Sequence, residues 1–146
     1  MLVEGDDVNE PISDAVRSIL DGHIVLSRDI AHRGRYPAID ITRSISRLAT
    51  ALISERERTV VADVVKLLAT YESSRDLIEV GAYRAGTTPT VDRAIQLNPV
   101  LEQFLAQKPE ESEPRREACE RLERLMAAEL QDSKAKFPRA TVKASP

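Results

Sequence analysis

The chain has 146 residues, 21 lysines and arginines against 24 acidic residues, and a formal net charge of −3. That length holds one domain, or one small domain and part of another, and the slight acidic balance leaves no basic field to hold nucleic acid or an anionic membrane. A single cysteine, Cys119, cannot form an intramolecular disulfide, which fits a reducing compartment and an ordinary helix residue.

The N-terminal "MLVEGDD" begins inside an apolar, strand-like run at Leu2 and Val3, and this is expected of a piece of something longer. "PISDAVRSIL" reads as a helix, with Pro11 in its first turn, Ile12, Val16, Ile19 and Leu20 at helical spacing, and Gly22 as its stop. Residues 23–27, with Ile24, Val25 and Leu26 in succession, read as a strand buried on both faces, as in a parallel sheet covered by helices. Residues 28–34 suit a short helix ended by Gly34. Pro37 then keeps Tyr36 out of the helical region and leaves 35–47 mostly loop.

Ser54 and Glu57 match the capping box S-x-x-E, so a long helix is expected from there, with Val60, Val61, Val64, Leu67, Leu68 and Tyr71 as its apolar stripe. "SSRDLIEVGAYRAGTT" reads as a short helix and a glycine-rich connector. Thr88 and Pro89 cap a further helix through Gln96, which Pro99 breaks or kinks before "VLEQFLAQ". A linker, "KPEESEP", leads to a last helix with Leu122, Leu125, Met126 and Leu130 on one side, and the polar, basic end reads as frayed. No run approaches the roughly 18 apolar residues of a membrane span, and the basic-then-apolar layout of a signal peptide is absent, so the sequence reads as cytosolic.

Two residues in "RYPAIDITRSISR" draw notice for their chemistry. Arg47, after a short polar stretch, presents a planar, always-charged fork suited to phosphate oxygens, or is a surface arginine in a salt bridge. Tyr36, stiffened by Pro37, stacks on a base or packs on its own domain. Asp6 and Asp7 beside Gly5 read as metal ligands, a catalytic dyad or a solvated turn. His23 and His32 have no metal-ligand spacing with Cys119 or a carboxylate cluster, so no metal site is expected. Phosphate-loop, dinucleotide-binding and nucleophile-elbow motifs are all absent.

The combination "EGDDVNEP", "LDGHIVLSR" and "YPAIDITRSISR" closely resembles the end of the nucleotide-binding domain of the type III secretion and flagellar export ATPases, relatives of the catalytic subunit of rotary ATP synthases. The resemblance runs from about residue 2 to 48, and more loosely, through "DLIEVGAY" and "DRAI", to about residue 107. It implies a mainly α fold with a short α/β part: residues 1–53 as the last strands and helices of a RecA-like domain, 54–107 as a C-terminal helical domain, and 108–146 as a charged linker, amphipathic helix and tail. It also implies that Tyr36 packs on the adenine of its own subunit and that Arg47 acts in trans on phosphates held by a neighbour. Asp6, Asp7, Val8, Asn9 and Glu10 would form a loop facing a central stalk.

A cytoplasmic homohexamer follows from the resemblance, with ATP and magnesium in the intact protein. Its implied partners are a stalk protein, a stator or regulator, and chaperone–substrate complexes, and its implied place is peripheral to an inner-membrane export gate. In that family the phosphate loop, the magnesium-orienting acid and the water-activating glutamate lie upstream, so this stretch is expected neither to bind ATP nor to hydrolyse it alone. Val8 stands where a methionine is common, and Arg43 adds a charge near the subunit seam. The competing readings are a stand-alone, non-catalytic helical module that binds chaperone, stalk or export-apparatus proteins, and a subunit of a rotary ATP synthase.

Overall fold

The computed structural model describes residues 11–136, so the expected strand at Leu2 and Val3 and the tail beyond 136 lie outside the described residues. The elements are α1 (Pro11–Ile19), β1 (Gly22–Leu26), α2 (Arg28–His32), β2 (Ile39–Ser46), α3 (Ala49–Leu52), α4 (Glu55–Glu79), α5 (Pro89–Leu105) and α6 (Arg115–Lys136). The fold is mainly helical with a small two-stranded sheet. Among the described residues, no helix is long and apolar enough to cross a membrane.

The sheet corrects three expectations. Residues 39–46 form a strand instead of loop, a run in which Ile39, Ile41, Thr42 and Ile45 supply strand-favouring β-branched side chains. β1 pairs with β2 antiparallel, Gly22 opposite Ser46 and Leu26 opposite Ile39. Nor is β1 buried on both faces: Ile24 is 71% exposed and Leu26 73%, since no other described element covers them. Gly22 opens β1 and does not serve as the stop of α1. A Cβ there would stand 2.7 Å from the Ile45 carbonyl oxygen, so the close approach of the two strands admits no side chain.

Between the Val25–Asp40 and His23–Ile45 rungs the register breaks, and residues 41–44 loop out opposite Ile24. Asp40 holds this bulge: its Oδ1 accepts from Thr42 Oγ1 at 2.8 Å and from the Arg43 amide at 3.1 Å. Ser44 Oγ accepts from the Val25 amide at 3.0 Å, replacing a lost ladder bond.

α4 starts at the expected capping box. Ser54 Oγ accepts from the Glu57 amide at 3.2 Å, and Glu57 Oε2 accepts from the Ser54 amide at 2.7 Å. The helix runs unbroken to Glu79, so "SSRDLIE" extends it and forms no separate helix. That run contains neither glycine nor proline, and Arg75 bridges Glu72 and Glu79 across successive turns. α5 likewise continues through Pro99 to Leu105. Proline inside a helix costs about 3 kcal/mol; here its ring is exposed, while Leu97 and Leu101, on the other side, are the largest fully buried side chains described and hold the helix in place.

Val64, Leu67, Ala94, Leu97, Leu101, Leu122 and Met126 form the core of α4, α5 and α6, with Val60, Leu68, Tyr71 and Phe104 packed against it. Val61 is exposed and falls outside the stripe assigned to it. Leu125 is half-buried, and Leu130 lies beyond the residues whose side chains are described.

Candidate functional site

The loop bearing Tyr36 is set by the end of α2. Gly34 takes φ of 79°, its amide donates to the Ala31 carbonyl at 2.9 Å, and the Arg35 amide donates to the Ile30 carbonyl at 3.3 Å. This Schellman pair turns the chain out of the helix. The Tyr36–Pro37 peptide is cis, and the Ile39 amide returns to the Pro37 carbonyl at 2.8 Å. Tyr36 is 59% exposed among the described residues.

From just beyond α5 the Gln107 amide donates to the Tyr36 carbonyl at 2.8 Å. Tyr36 flanks an open groove whose other walls include Val100, Phe104 and Arg121. The Arg121 guanidinium lies 4.4 Å over the Phe104 ring and bonds both oxygens of Glu113, at 3.0 and 2.7 Å. Those bonds hold the Glu113 carboxyl below its ordinary pKa. An exposed aromatic ring over a partly apolar floor with a charged rim is chemistry that receives a flat heteroaromatic group.

Arg47 stands at the other end of the ladder, where its amide donates to the Asp21 carbonyl at 2.8 Å. Ser46 Oγ accepts from the Ala49 amide at 3.2 Å and starts α3 directly behind it. The side chain of Arg47 is exposed. The Leu26–Ile39 and Gly22–Ser46 rungs are four residues of β1 apart, about 13 Å at roughly 3.3 Å per residue. Tyr36 and Arg47 therefore are not brought together. Asp6, Asp7, Val8, Asn9 and Glu10 lie outside the described residues.

Of the other candidates, His23 sits with Nε2 3.2 Å from the Arg43 carbonyl oxygen, and burial, reinforced by Glu57, pushes the Cys119 thiol pKa up. Among the described residues, no group of three His, Cys, Asp or Glu is placed to hold a metal ion.

The "GAY" and "DRAI" stretches meet in the α4–α5 connection. Tyr83 Oη lies 3.0 Å from Asp92 Oδ1 and 3.1 Å from the Thr88 carbonyl, and Asp92 Oδ2 accepts from the Gly86 amide at 2.9 Å. Burial first, then Asp92, raises the Tyr83 pKa. The adjacent Arg93 forks Asp63 of α4 at 2.8 and 3.4 Å. These residues clamp the helical hairpin that positions Gln107.

Residues 53–124 match the T3SS EscN ATPase C-terminal domain, and residues 1–46 match the nucleotide-binding domain of the ATP synthase alpha/beta family. The chain belongs to the type III secretion and flagellar export ATPase family. It is 53% identical over 112 residues to the flagellum-specific ATP synthase of Caulobacter vibrioides, a match covering 77% of this chain and 25% of that protein. The structure of the assembled ATPase EscN from the enteropathogenic E. coli type III secretion system aligns with a TM-score of 0.80 at 38% identity, over 86% of this chain and 30% of that one. EscN in complex with its central stalk EscO gives 0.73 at 37% identity, over 79% and 28%.

The chain spans about a quarter of the length of the curated relatives it matches. Tyr36 falls in the nucleotide-binding match, whereas Phe104, Gln107 and Arg121 fall in the C-terminal-domain match. The groove thus lies where the two matched parts meet. Sequence reasoning passed over Phe104 and Arg121, whose only local signal was an aromatic near the end of an amphipathic helix.

Proposed function

We propose that the chain is the C-terminal portion of a ring-forming ATPase that energises type III protein export. In this reading, residues 1–53 complete a RecA-like nucleotide-binding domain, 54–107 form the helical domain, and 108–146 supply a linker, an amphipathic helix and a tail. The observation that carries it is the placement of Tyr36 and Arg47 at opposite ends of one ladder, an arrangement that serves two nucleotides better than one. Tyr36 takes the base of ATP bound by its own subunit, in the groove shared with Phe104. Arg47 offers its guanidinium to the phosphates held by a neighbouring subunit. A trans arginine of this kind is worth about 10³ to 10⁵ in rate.

Bound magnesium supplies charge neutralisation on the phosphates, and the groups that hold it belong to the upstream part of the intact protein. The exposed apolar side chains of Ile19, Ile24, Leu26 and Leu52 are the surface that this upstream part covers. The stalk is met by the Asp6–Glu10 loop, a reading supported by the complex that the relative EscN forms with its central stalk EscO. A stator or regulator and chaperone–substrate complexes complete the assembly, on the cytoplasmic side of the export gate.

The test joins this chain to the upstream three-quarters of the Caulobacter relative. Arg47→Ala is expected to lower ATP turnover about 10³-fold or more while binding of a fluorescent ATP analogue survives. Tyr36→Ala is expected to weaken that binding about tenfold, as loss of base–aromatic stacking does. Retained turnover removes Arg47 from the mechanism. A second reading, a non-catalytic helical module, draws on the closed core of α4, α5 and α6; it gains if neither substitution changes turnover in the chimera.

A further inference from the structure

We infer that Arg35 and Glu102 form a positioning pair that sets the Tyr36 turn from the helical domain, an inference resting on the reading of Tyr36 as the base-holding residue. Arg35 is the residue immediately before Tyr36, yet its side chain is only 11% exposed. Its Nη2 donates to the Ile39 carbonyl at 3.0 Å, on the far limb of the turn. Its Nε lies 3.3 Å from Glu102 Oε2 on α5. One guanidinium therefore ties both limbs of the Tyr36–Pro37 turn to each other and to the helical domain. The Gln107 amide on the Tyr36 carbonyl is a second tie from the end of the same helix.

The planar fork explains why an arginine stands here: a lysine ammonium is a point charge and does not present two directed donors to acceptors on different elements. Arg33 repeats the connection more loosely, 3.7 Å from Glu72 on α4. The Arg35–Glu102 contact is an ion pair without hydrogen-bonding geometry at Nε. One turn earlier on α5, the buried Oδ1 of Asn98 is also without a hydrogen-bond partner. Both residues line a polar cavity of about 270 Å³ between the β2 bulge and the α4–α5 pair. A donor and an acceptor thus retain bonding capacity at the junction, so a small shift of α5 changes which bonds Arg35 makes. Because Arg35 brackets the turn, that shift reaches Tyr36, and the base groove is coupled to the orientation of the helical domain.

The experiment uses the ATPase chimera described above, with Arg35→Gln and Glu102→Gln each made alone and in the Tyr36→Ala background. Each single variant is expected to raise the KM for ATP and the Kd of a fluorescent ATP analogue about three- to tenfold, with kcat within about twofold. In the Tyr36→Ala background the same substitutions are expected to add nothing further. Arg35→Lys, which keeps the charge toward Glu102 but loses the directed pair of donors, is expected to recover only part of the affinity lost in Arg35→Gln. Glu102→Gln, on the more exposed partner, serves if Arg35→Gln fails to fold, and thermal midpoints report general destabilisation. An unchanged Kd, or an effect of equal size with and without Tyr36, overturns the positioning role while Tyr36→Ala alone still weakens binding. If Tyr36→Ala itself leaves binding intact, the base-holding reading fails first.

Discussion

From Ser54 to Met126, three helices close around seven buried residues on α4, α5 and α6, whereas the shorter elements from Pro11 to Leu52 contribute one buried hydrophobic, Ile30. The first region hides its apolar stripe; the second leaves Ile19, Ile24, Leu26, Ile45, Leu48 and Leu52 open. Both regions have satisfied local geometry, with a capping box in one and a Schellman turn and a braced bulge in the other. Local geometry therefore does not separate them. Burial does, and burial is what stabilises a tertiary unit against conformational entropy.

The comparison is broken most sharply by core truncation. Leu101→Ala is expected to cost about 2 to 5 kcal/mol in urea unfolding of this chain, since Leu101 is 1% exposed. Ile24→Ala is expected to stay within about 0.5 kcal/mol in the same chain, and to cost more in the chimera, as the proposed covering of that face by the upstream part requires. Equal losses from the two substitutions in the isolated chain would erase the distinction between the regions.

Amide exchange draws the same boundary without mutation. In the isolated chain, amides of α4 and α5, residues 55–105, are expected to be protected, and those of β1 and β2, within residues 1–50, to exchange quickly. Uniform protection would mean that the sheet region is self-sufficient or pairs with a second copy through its open edges.

The smallest effect concerns the start of the helical region. Ser54→Ala is expected to cost about 1 kcal/mol, the usual worth of an N-cap. The bond from the Ser54 amide, then that with its hydroxyl, lowers the Glu57 pKa in the folded state, and Arg121 does the same to Glu113. A carboxylate whose folded pKa is depressed contributes stability above its unfolded value and loses it as pH falls through the folded one. Thermal midpoints of this region should therefore decline as pH drops below the ordinary 4.5 of these groups. Glu57→Gln should flatten part of that decline, and an unchanged slope would mean that the capping carboxylate is not linked to folding.

Legibility in the sequence tracked how local each cause is. The Ser54–Glu57 box and the Gly34 stop were readable because each acts within one turn of chain. β2 was not, because residues 41–44 bulge out and interrupt the alternation with Thr42 and Arg43. The extent of α5 was hidden by Pro99, whose local penalty is overridden by the burial of Leu97 and Leu101. Tyr36 and Arg47 were legible as motif residues. The Arg35–Glu102 pair was not, since its partners are distant in sequence and meet only when the hairpin folds back onto the Tyr36 turn.

The central claim, that Arg47 acts on a neighbour's nucleotide, is tested most directly by mixing two inactive forms of the chimera. One carries Arg47→Ala, and the other is disabled in the phosphate loop of the upstream part. Mixed rings contain interfaces that join an intact phosphate loop to an intact Arg47. Recovery of ATP turnover on mixing, to a substantial fraction of the parent's per competent interface, is the result predicted. Rings that assemble yet stay inactive at every mixing ratio would contradict it.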